Sequence, residues 1–296
     1  MREGRSLGFY LLAAFFAAYV LFLYGPMIVI FLLSFQGPTG GLTFPMAGFS
    51  LHWFGKLWEG GGIVDIGAAF RRSLALGLTV MVVTVVFSVL AGLGFRKKFR
   101  GQGLLFYTAI ASLIVPSIIT SLGIALMFRE LDDFVKAYGP AWLTDGYTTS
   151  MGLFTSGLGA HLTWTLPFGL LIMFAIFNRF DARLEEAARD LGASPWQTFR
   201  YVVAPIILPS LIGVALFGFT LSWDEIARSS QAIGSYNTLP MELQALTTTV
   251  TTPQIYALGT TTTAVSFMVI SVALLGIMYS RARQARKGSD AGKGLV

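Results

Sequence analysis

Apolar runs of membrane length alternate with short polar segments along almost the whole chain. Six runs stand out, at about 8–35, 74–95, 104–128, 158–180, 206–222 and 258–279. About 20 consecutive apolar residues cross a bilayer as a helix. The pattern therefore predicts an all-α integral membrane protein with six transmembrane helices, forming a single domain over residues 1–296. The first run, Gly8 to Phe35, exceeds the ~7–15-residue apolar core of a cleaved signal peptide and reads as an uncleaved, tilted span. Pro116 marks a kink in the third run, and Pro167 lies inside the fourth. Residues 36–69, with Pro38, Pro45, Trp53 and Trp58, read as a loop against the membrane interface. Residues 129–155 read as a second loop on the same side, and 223–257 as a third, in which Leu239 to Leu243 suggests a short re-entrant helix.

A polar island lies between the fourth and fifth runs, from Asp181 to Pro209. Leu184, Ala187, Ala188 and Leu191 fall at i, i+3, i+4 and i+7, one face of a helix. Asp181 suits its N-cap, and Glu185 and Glu186 complement its early turns. Gly192 suits the left-handed position that ends a helix. Ser194, Pro195 and Gln197 then match the N-cap, N1 and N3 positions of a second helix with a capping box. Pro205 and Pro209 are expected to redirect the backbone into the fifth run. The prediction for 181–203 is thus a short helix, a glycine turn and a second short helix.

Composition agrees with the membrane reading. Of 296 residues, 54% are hydrophobic and 12% charged, about half the charged share of an average soluble domain. No cysteine is present, which excludes disulfides and thiol chemistry. The net charge of +6 raises the question of nucleic acid, and its distribution answers it. With both termini on one side, that side holds Arg2, Arg5, the cluster Arg96, Lys97, Lys98 and Arg100, then Arg179, Arg183, Arg189 and Arg200, and Arg281, Arg283, Arg286, Lys287 and Lys293. The other side holds only Lys56, Arg71, Arg72, Arg129, Lys136 and Arg228. The excess marks the terminal side as cytoplasmic, so topology explains the basic charge and the helix pair lies in the cytoplasm. Acidic residues lean outward, which favours approach of a cation from outside.

Few residues suit chemistry at membrane depth. The fifth run ends in Trp223, Asp224 and Glu225. Carboxylates at the end of a membrane helix are costly unless they face water or a partner, so these three suggest a cation-attracting vestibule with a cation–π face. An interfacial Trp beside two solvated acids is the plainer alternative. His161 and Trp164 read better as packed or hydrogen-bonded structural residues than as ligands. Threonines 247–249 and 260–263 suit helix-to-helix hydrogen bonds or a polar lining. No phosphate-binding G-x-x-x-x-G-K-[ST] motif occurs; Gly288 to Lys293 has the wrong spacing and reads as a flexible tail. No metal-ligand or acid–base cluster is legible.

Glu186-Ala187-Ala188, Gly192 and Val202-Val203-Ala204-Pro205 at these spacings resemble the EAA loop of permease subunits of ABC importers. The family ending is usually Ile-x-Leu-Pro; Val202 and Ala204 depart from it mildly. From Leu158 onward, His161, Leu166-Pro167, the run Phe219 to Glu225, Gly234, Thr238-Leu239-Pro240, Pro253 and Ala257-Leu258 resemble the second permease of spermidine/putrescine importers. Permeases for thiamine, iron, phosphonates or opines share much of this pattern.

The resemblance implies a type I ABC importer permease fold. It implies ATPase coupling through Glu185, Glu186, Ala187, Ala188, Gly192, Ala193 and Ser194, and a substrate pathway past Trp223, Asp224 and Glu225. The implied partners are a second permease subunit in a heterodimer, two cytoplasmic ABC ATPases, a periplasmic substrate-binding protein and membrane lipid, with no nucleic acid. This chain would bind no cofactor, ATP and Mg being used by the ATPases in an alternating-access cycle. It would sit in the bacterial inner membrane as a non-catalytic subunit. A stand-alone channel or secondary transporter would not need the capped helix pair, and a membrane enzyme would need a polar catalytic cluster that is not found.

Overall fold

The computed structural model describes residues 6–59, 65–249 and 252–292; Arg2, Glu3, Arg5 and Lys293 lie outside them. Among the described residues the regular secondary structure is helical, apart from one isolated bridge between Gln36 and Phe49. In chain order the helices are α1 (Leu7–Leu33), α2 (His52–Lys56), α3 (Ile66–Phe95), α4 (Gln102–Ala111), α5 (Ser117–Tyr138), α6 (Ala141–Thr144), α7 (Leu158–Arg179), α8 (Arg183–Asp190), α9 (Pro195–Thr198), α10 (Ala204–Trp223), α11 (Ser229–Ala232), α12 (Leu239–Thr249) and α13 (Gln254–Gly292). Wider π-helical turns precede α7 (Leu153–Gly157) and α10 (Phe199–Val203). Among the described residues, five helical segments are long and apolar enough to cross a membrane: Leu7–Leu33, Ile66–Phe95, Leu153–Phe177, Pro195–Trp223 and Gln254–Gly276.

The third apolar run is where the expected spans differ. It is broken into α4 and α5, not merely kinked. Pro116 has no N–H to give the preceding turn and disfavours helical backbone in the residue before it. Ser112 closes α4, and its hydroxyl donates to the Ala109 carbonyl (2.7 Å) and the Thr163 carbonyl of α7 (2.8 Å). α5 then runs on to Tyr138, so Arg129, Glu130 and Asp132, expected in a loop, are helical. Asp132 is buried and gathers the following segment: Tyr147 Oη (2.6 Å) and the Ser150 N–H (2.7 Å) donate to it, as do the Thr149 and Ser150 hydroxyls.

Other boundaries also move. α3 begins at Ile66, earlier than expected, and Arg72 in its first turns donates to the Asn237 carbonyl (2.8 Å). Pro205 and Pro209 do not turn the chain. The helix runs from Pro195 through Trp223, and the turn at Phe199–Val203 widens so that the Ala204 N–H bonds the Phe199 carbonyl just before Pro205. The stretch expected as a flexible tail continues α13 through Gly292.

The chain divides into two compact units, Met1–Gly67 with Glu242–Val265 and Ala68–Met241 with Ser266–Val296. In the first, the residues after α1 are folded, not loose. Gln36, wholly buried, accepts from the Ala47 N–H (2.7 Å) and the Gly37 N–H (3.2 Å) and donates to the Gly41 carbonyl (3.2 Å). Phe35 stacks on Phe49 with ring centroids 4.8 Å apart. α1 itself buries only Leu33 and is apolar all round, as befits a helix facing lipid or another apolar chain.

The second unit is built on α3, α7 and α10. Val89, Met173, Phe177, Val203, Ile207 and Val214 form its larger core cluster; Leu76, Val80, Leu153 and Ile233 form a smaller one. Small residues bring α3 and α7 together, as at membrane helix contacts generally. A Cβ on Gly169 would lie 2.0 Å from Ser88 Oγ, and Thr84 and Thr165 share a hydrogen bond of 2.7 Å beside it. Gly169→Val is therefore expected to lower stability by about 1–3 kcal/mol. Thermal unfolding in detergent checks this; an unchanged midpoint would mean that α3 and α7 are not tightly apposed there.

Candidate functional site

Local sequence sets the α8–α9 pair. Asp181 Oδ1 accepts from the Arg183 N–H (3.0 Å), while Ala182, not Asp181, occupies the N-cap position of α8. Gly192 adopts φ +84°. Its N–H bonds the Arg189 carbonyl (2.8 Å) and the Ala193 N–H bonds the Ala188 carbonyl (3.0 Å), closing α8 with a Schellman-type turn. Ser194 and Gln197 form the full capping box, the Gln197 N–H reaching Ser194 Oγ (3.3 Å) and the Ser194 N–H reaching Gln197 Oε1 (2.8 Å), with Pro195 at the start of α9.

The faces of the pair are not those that hydrophobicity alone suggests. Leu191 is 90% exposed, and Leu184, Trp196 and Tyr201 are also exposed. Glu186, Ala187, Gly192 and Ser194 are exposed too, with Ala188 and Ala193 intermediate. Glu185, by contrast, turns inward and is buried. Its carboxylate accepts both guanidinium nitrogens of Arg96, just past α3, at 2.8 and 2.7 Å. Arg96 lies over the rings of Phe177 (5.1 Å) and Phe180 (5.2 Å), and Arg189 stands 3.8 Å from the same carboxylate. The hydrogen bonds from Arg96 hold the Glu185 carboxyl below the usual range, and the same bonds push Arg96 up. A cleft of about 740 Å³ opens beside this pair, lined by Arg96, Lys97, Glu185, Arg189, Pro195 and Phe199 among others. Of the seven residues expected to couple, Glu185 thus does not share the exposed face.

At the other end of α10, the expected trio is split. Trp223 is 2% exposed, stacked on Phe219 (5.5 Å) and edge-on to Phe70 (5.7 Å). Its ring faces are taken by aromatic packing, so the open cation–π face expected from the sequence is corrected to a core position. Asp224 ends α10 and is exposed. Desolvation by the protein around it, then the neighbouring Glu225, push its carboxyl up from the ordinary value.

Glu225 pairs with Arg228, which sequence reasoning counted only as a charge. Arg228 is fully buried. Its Nη1 donates to Ser117 Oγ of α5 (2.6 Å) and to Glu225 Oε2 (3.4 Å), and its Nε to Thr163 Oγ1 of α7 (3.3 Å). Its guanidinium sits 4.5 Å from the Trp164 ring centre. The signal that could have found it is its isolation: no other Lys or Arg occurs between Arg200 and Arg281.

His161 sits beside this cluster, Nδ1 2.8 Å from Ser222 Oγ and Nε2 2.9 Å from Ser229 Oγ. Because the Ser229 hydroxyl donates to the Glu225 carbonyl (2.8 Å), Nε2–H donates to Ser229 and the Ser222 hydroxyl donates to Nδ1 of a neutral ring. His161 thereby staples α7, α10 and α11, the structural role expected of it. In the second threonine stretch, Thr261, Thr262 and Thr263 donate to the carbonyls of Ala257 (2.8 Å), Leu258 (2.9 Å) and Gly259 (2.8 Å), one turn back in their own helix.

Known proteins resemble this chain in sequence or in fold. The model of the family "binding-protein-dependent transport system inner membrane component" matches residues 84–285. The spermidine/putrescine transport system permease protein PotC of Haemophilus influenzae is 30% identical over 272 residues, covering 90% of this chain and 94% of that one. The putrescine transport system permease protein PotI of Escherichia coli K12 is 29% identical over 242 residues, covering 81% of this chain and 80% of that one. Among solved structures, a bacterial ABC transporter involved in import of the acidic polysaccharide alginate matches with TM-score 0.61 at 15% identity over 95% of each chain, a likeness of fold alone.

Proposed function

The chain belongs to the family of binding-protein-dependent transport system inner membrane components, and from that premise we propose that it is the permease subunit of a type I ABC importer for a polyamine of the spermidine/putrescine kind. The observation that carries this reading is the capped α8–α9 pair with its exposed apolar side chains, in a chain whose relatives across nine-tenths of its length are named as polyamine permeases. In this reading the whole chain is one transmembrane domain of six spans, the broken α4–α5 segment supplying the third, and both termini are cytoplasmic in a bacterial inner membrane.

Of the importer's two cytoplasmic ATPases, one binds the α8–α9 pair, touching Glu186, Ala187, Ala188, Gly192, Ala193 and Ser194. A second, different permease subunit completes the pore, and a periplasmic binding protein delivers cargo. The chain holds no nucleotide itself; ATP and Mg are handled by the ATPases, and the spans alternate between outward and inward access. Cargo passes Asp224, the one exposed carboxylate of the expected trio, while Glu225 and Trp223 shape that end of α10 from behind.

Asp224→Asn tests the pathway, since Glu225 is held in its pair with Arg228. Spermidine uptake by the assembled complex in proteoliposomes is expected to fall at least tenfold with ATPase assembly intact. Unchanged uptake would remove Asp224 from the pathway.

A further inference from the structure

We propose that Arg96 is the positioning residue that locks the ATPase-docking helix pair to the body of the permease, and that Glu185 serves this lock and not the ATPase contact. The inference rests on the importer reading above. Three elements meet at one guanidinium. Arg96 follows α3, its fork grips Glu185 of α8 through two bonds of 2.8 and 2.7 Å, and its flat faces lie over Phe177 in α7 and Phe180 just beyond it. A planar fork held in this way fixes direction as well as distance, which a lysine ammonium does not do.

The chain joins α8 directly to α7 through Phe180, Asp181 and Ala182, with Phe180 in extended backbone. Nothing covalent joins α8 to α3, and the Arg96–Glu185 pair supplies that link. The two side chains are only 23% and 11% exposed, so salt screens the pair far less than the open pair of Arg183 and Asp181. Glu186, one position along, points outward. Adjacent carboxylates thus divide the work, one facing the partner and one facing the spans. A push on the docking face reaches α3 and α7 together through one rigid joint.

A double-mutant cycle in the assembled complex, with ATPases and binding protein in lipid nanodiscs and proteoliposomes, separates this role from general stability. Arg96→Gln, Glu185→Gln and the double variant are compared for ATPase subunits retained and for spermidine transported per ATP hydrolysed. Each single variant is expected to retain its ATPases and to lose coupling about tenfold. The double variant is expected to lose no more than either single one, because both remove the same contact. Losses that multiply to about a hundredfold, or single variants that couple normally, overturn the assignment. So does release of the ATPases by Glu185→Gln alone, which would make Glu185 a docking residue. A wild-type chain that retains no ATPase sinks the importer reading and this assignment together, whereas normal wild-type coupling with a multiplicative cycle sinks this assignment alone.

Discussion

Arg228→Met is expected to cost about 3–5 kcal/mol of stability, because it leaves a buried carboxylate without its cation. Arg228 is fully buried and its partner Glu225 is 12% exposed. The substitution also takes a donor from Ser117 and from Thr163, and the cation from the face of Trp164. α5, α7 and the segment after α10 therefore lose a shared node at once. Thermal unfolding of the purified chain in detergent reads the effect. Adding Glu225→Gln is expected to recover much of the loss, since the cost lies in the uncompensated charge and not in the missing bond. If Arg228→Met left the midpoint unchanged, the buried cation would carry none of the packing around it.

Gly192→Pro is expected to abolish coupling by wrecking the turn between α8 and α9. The turn needs φ +84°, whereas proline is held near −65° and has no N–H to give the Arg189 carbonyl. No heavy atom lies within 4 Å of a Cβ built at Gly192, so the obstacle is backbone conformation and not space. Gly192→Ala isolates that cost, about 1–2 kcal/mol for left-handed backbone in a residue with a Cβ. Cargo-stimulated ATPase activity is expected to fall at least tenfold in the proline variant and severalfold in the alanine one. Full stimulation in Gly192→Pro would mean that the orientation of α9 against α8 does not matter for docking.

The α8–α9 turn and the Arg96–Glu185 lock differ in how much of them the sequence reveals. The α8–α9 turn is legible because its causes are local: a left-handed glycine, a Ser194–Gln197 box and a proline at the first helical position act within a few residues. The Arg96–Glu185 lock is not. Glu185 and Glu186 are neighbours of one type, and which of them faces the body depends on a cation some ninety positions away in sequence. Hydrophobic patterning misleads at the same place. In a membrane subunit that also docks onto partners, an apolar side chain has lipid and protein surfaces to satisfy it as well as a core. The stripe with Leu184 and Leu191 accordingly points outward.

The spans divide on the same principle. Runs that become single helices are read from length alone, but the break between α4 and α5 needs Ser112 bonded across to α7 as well as Pro116. Trp223 and Arg228 fail for a related reason. Ring stacking and a buried ion pair are tertiary, and the local Trp-Asp-Glu sequence reads equally well as a solvated end.

The central claim is that this chain works as the membrane part of an ATP-driven polyamine importer. The direct measurement is ATPase activity of the complete complex in lipid nanodiscs, with its binding protein, across a panel of candidate ligands. The account predicts stimulation by spermidine or putrescine and none by thiamine, phosphonates, opines or iron. Stimulation by one of those others would replace the cargo while keeping the importer. Failure of the chain to associate with any ATPase, together with uptake driven by an ion gradient alone, would contradict the account at its root.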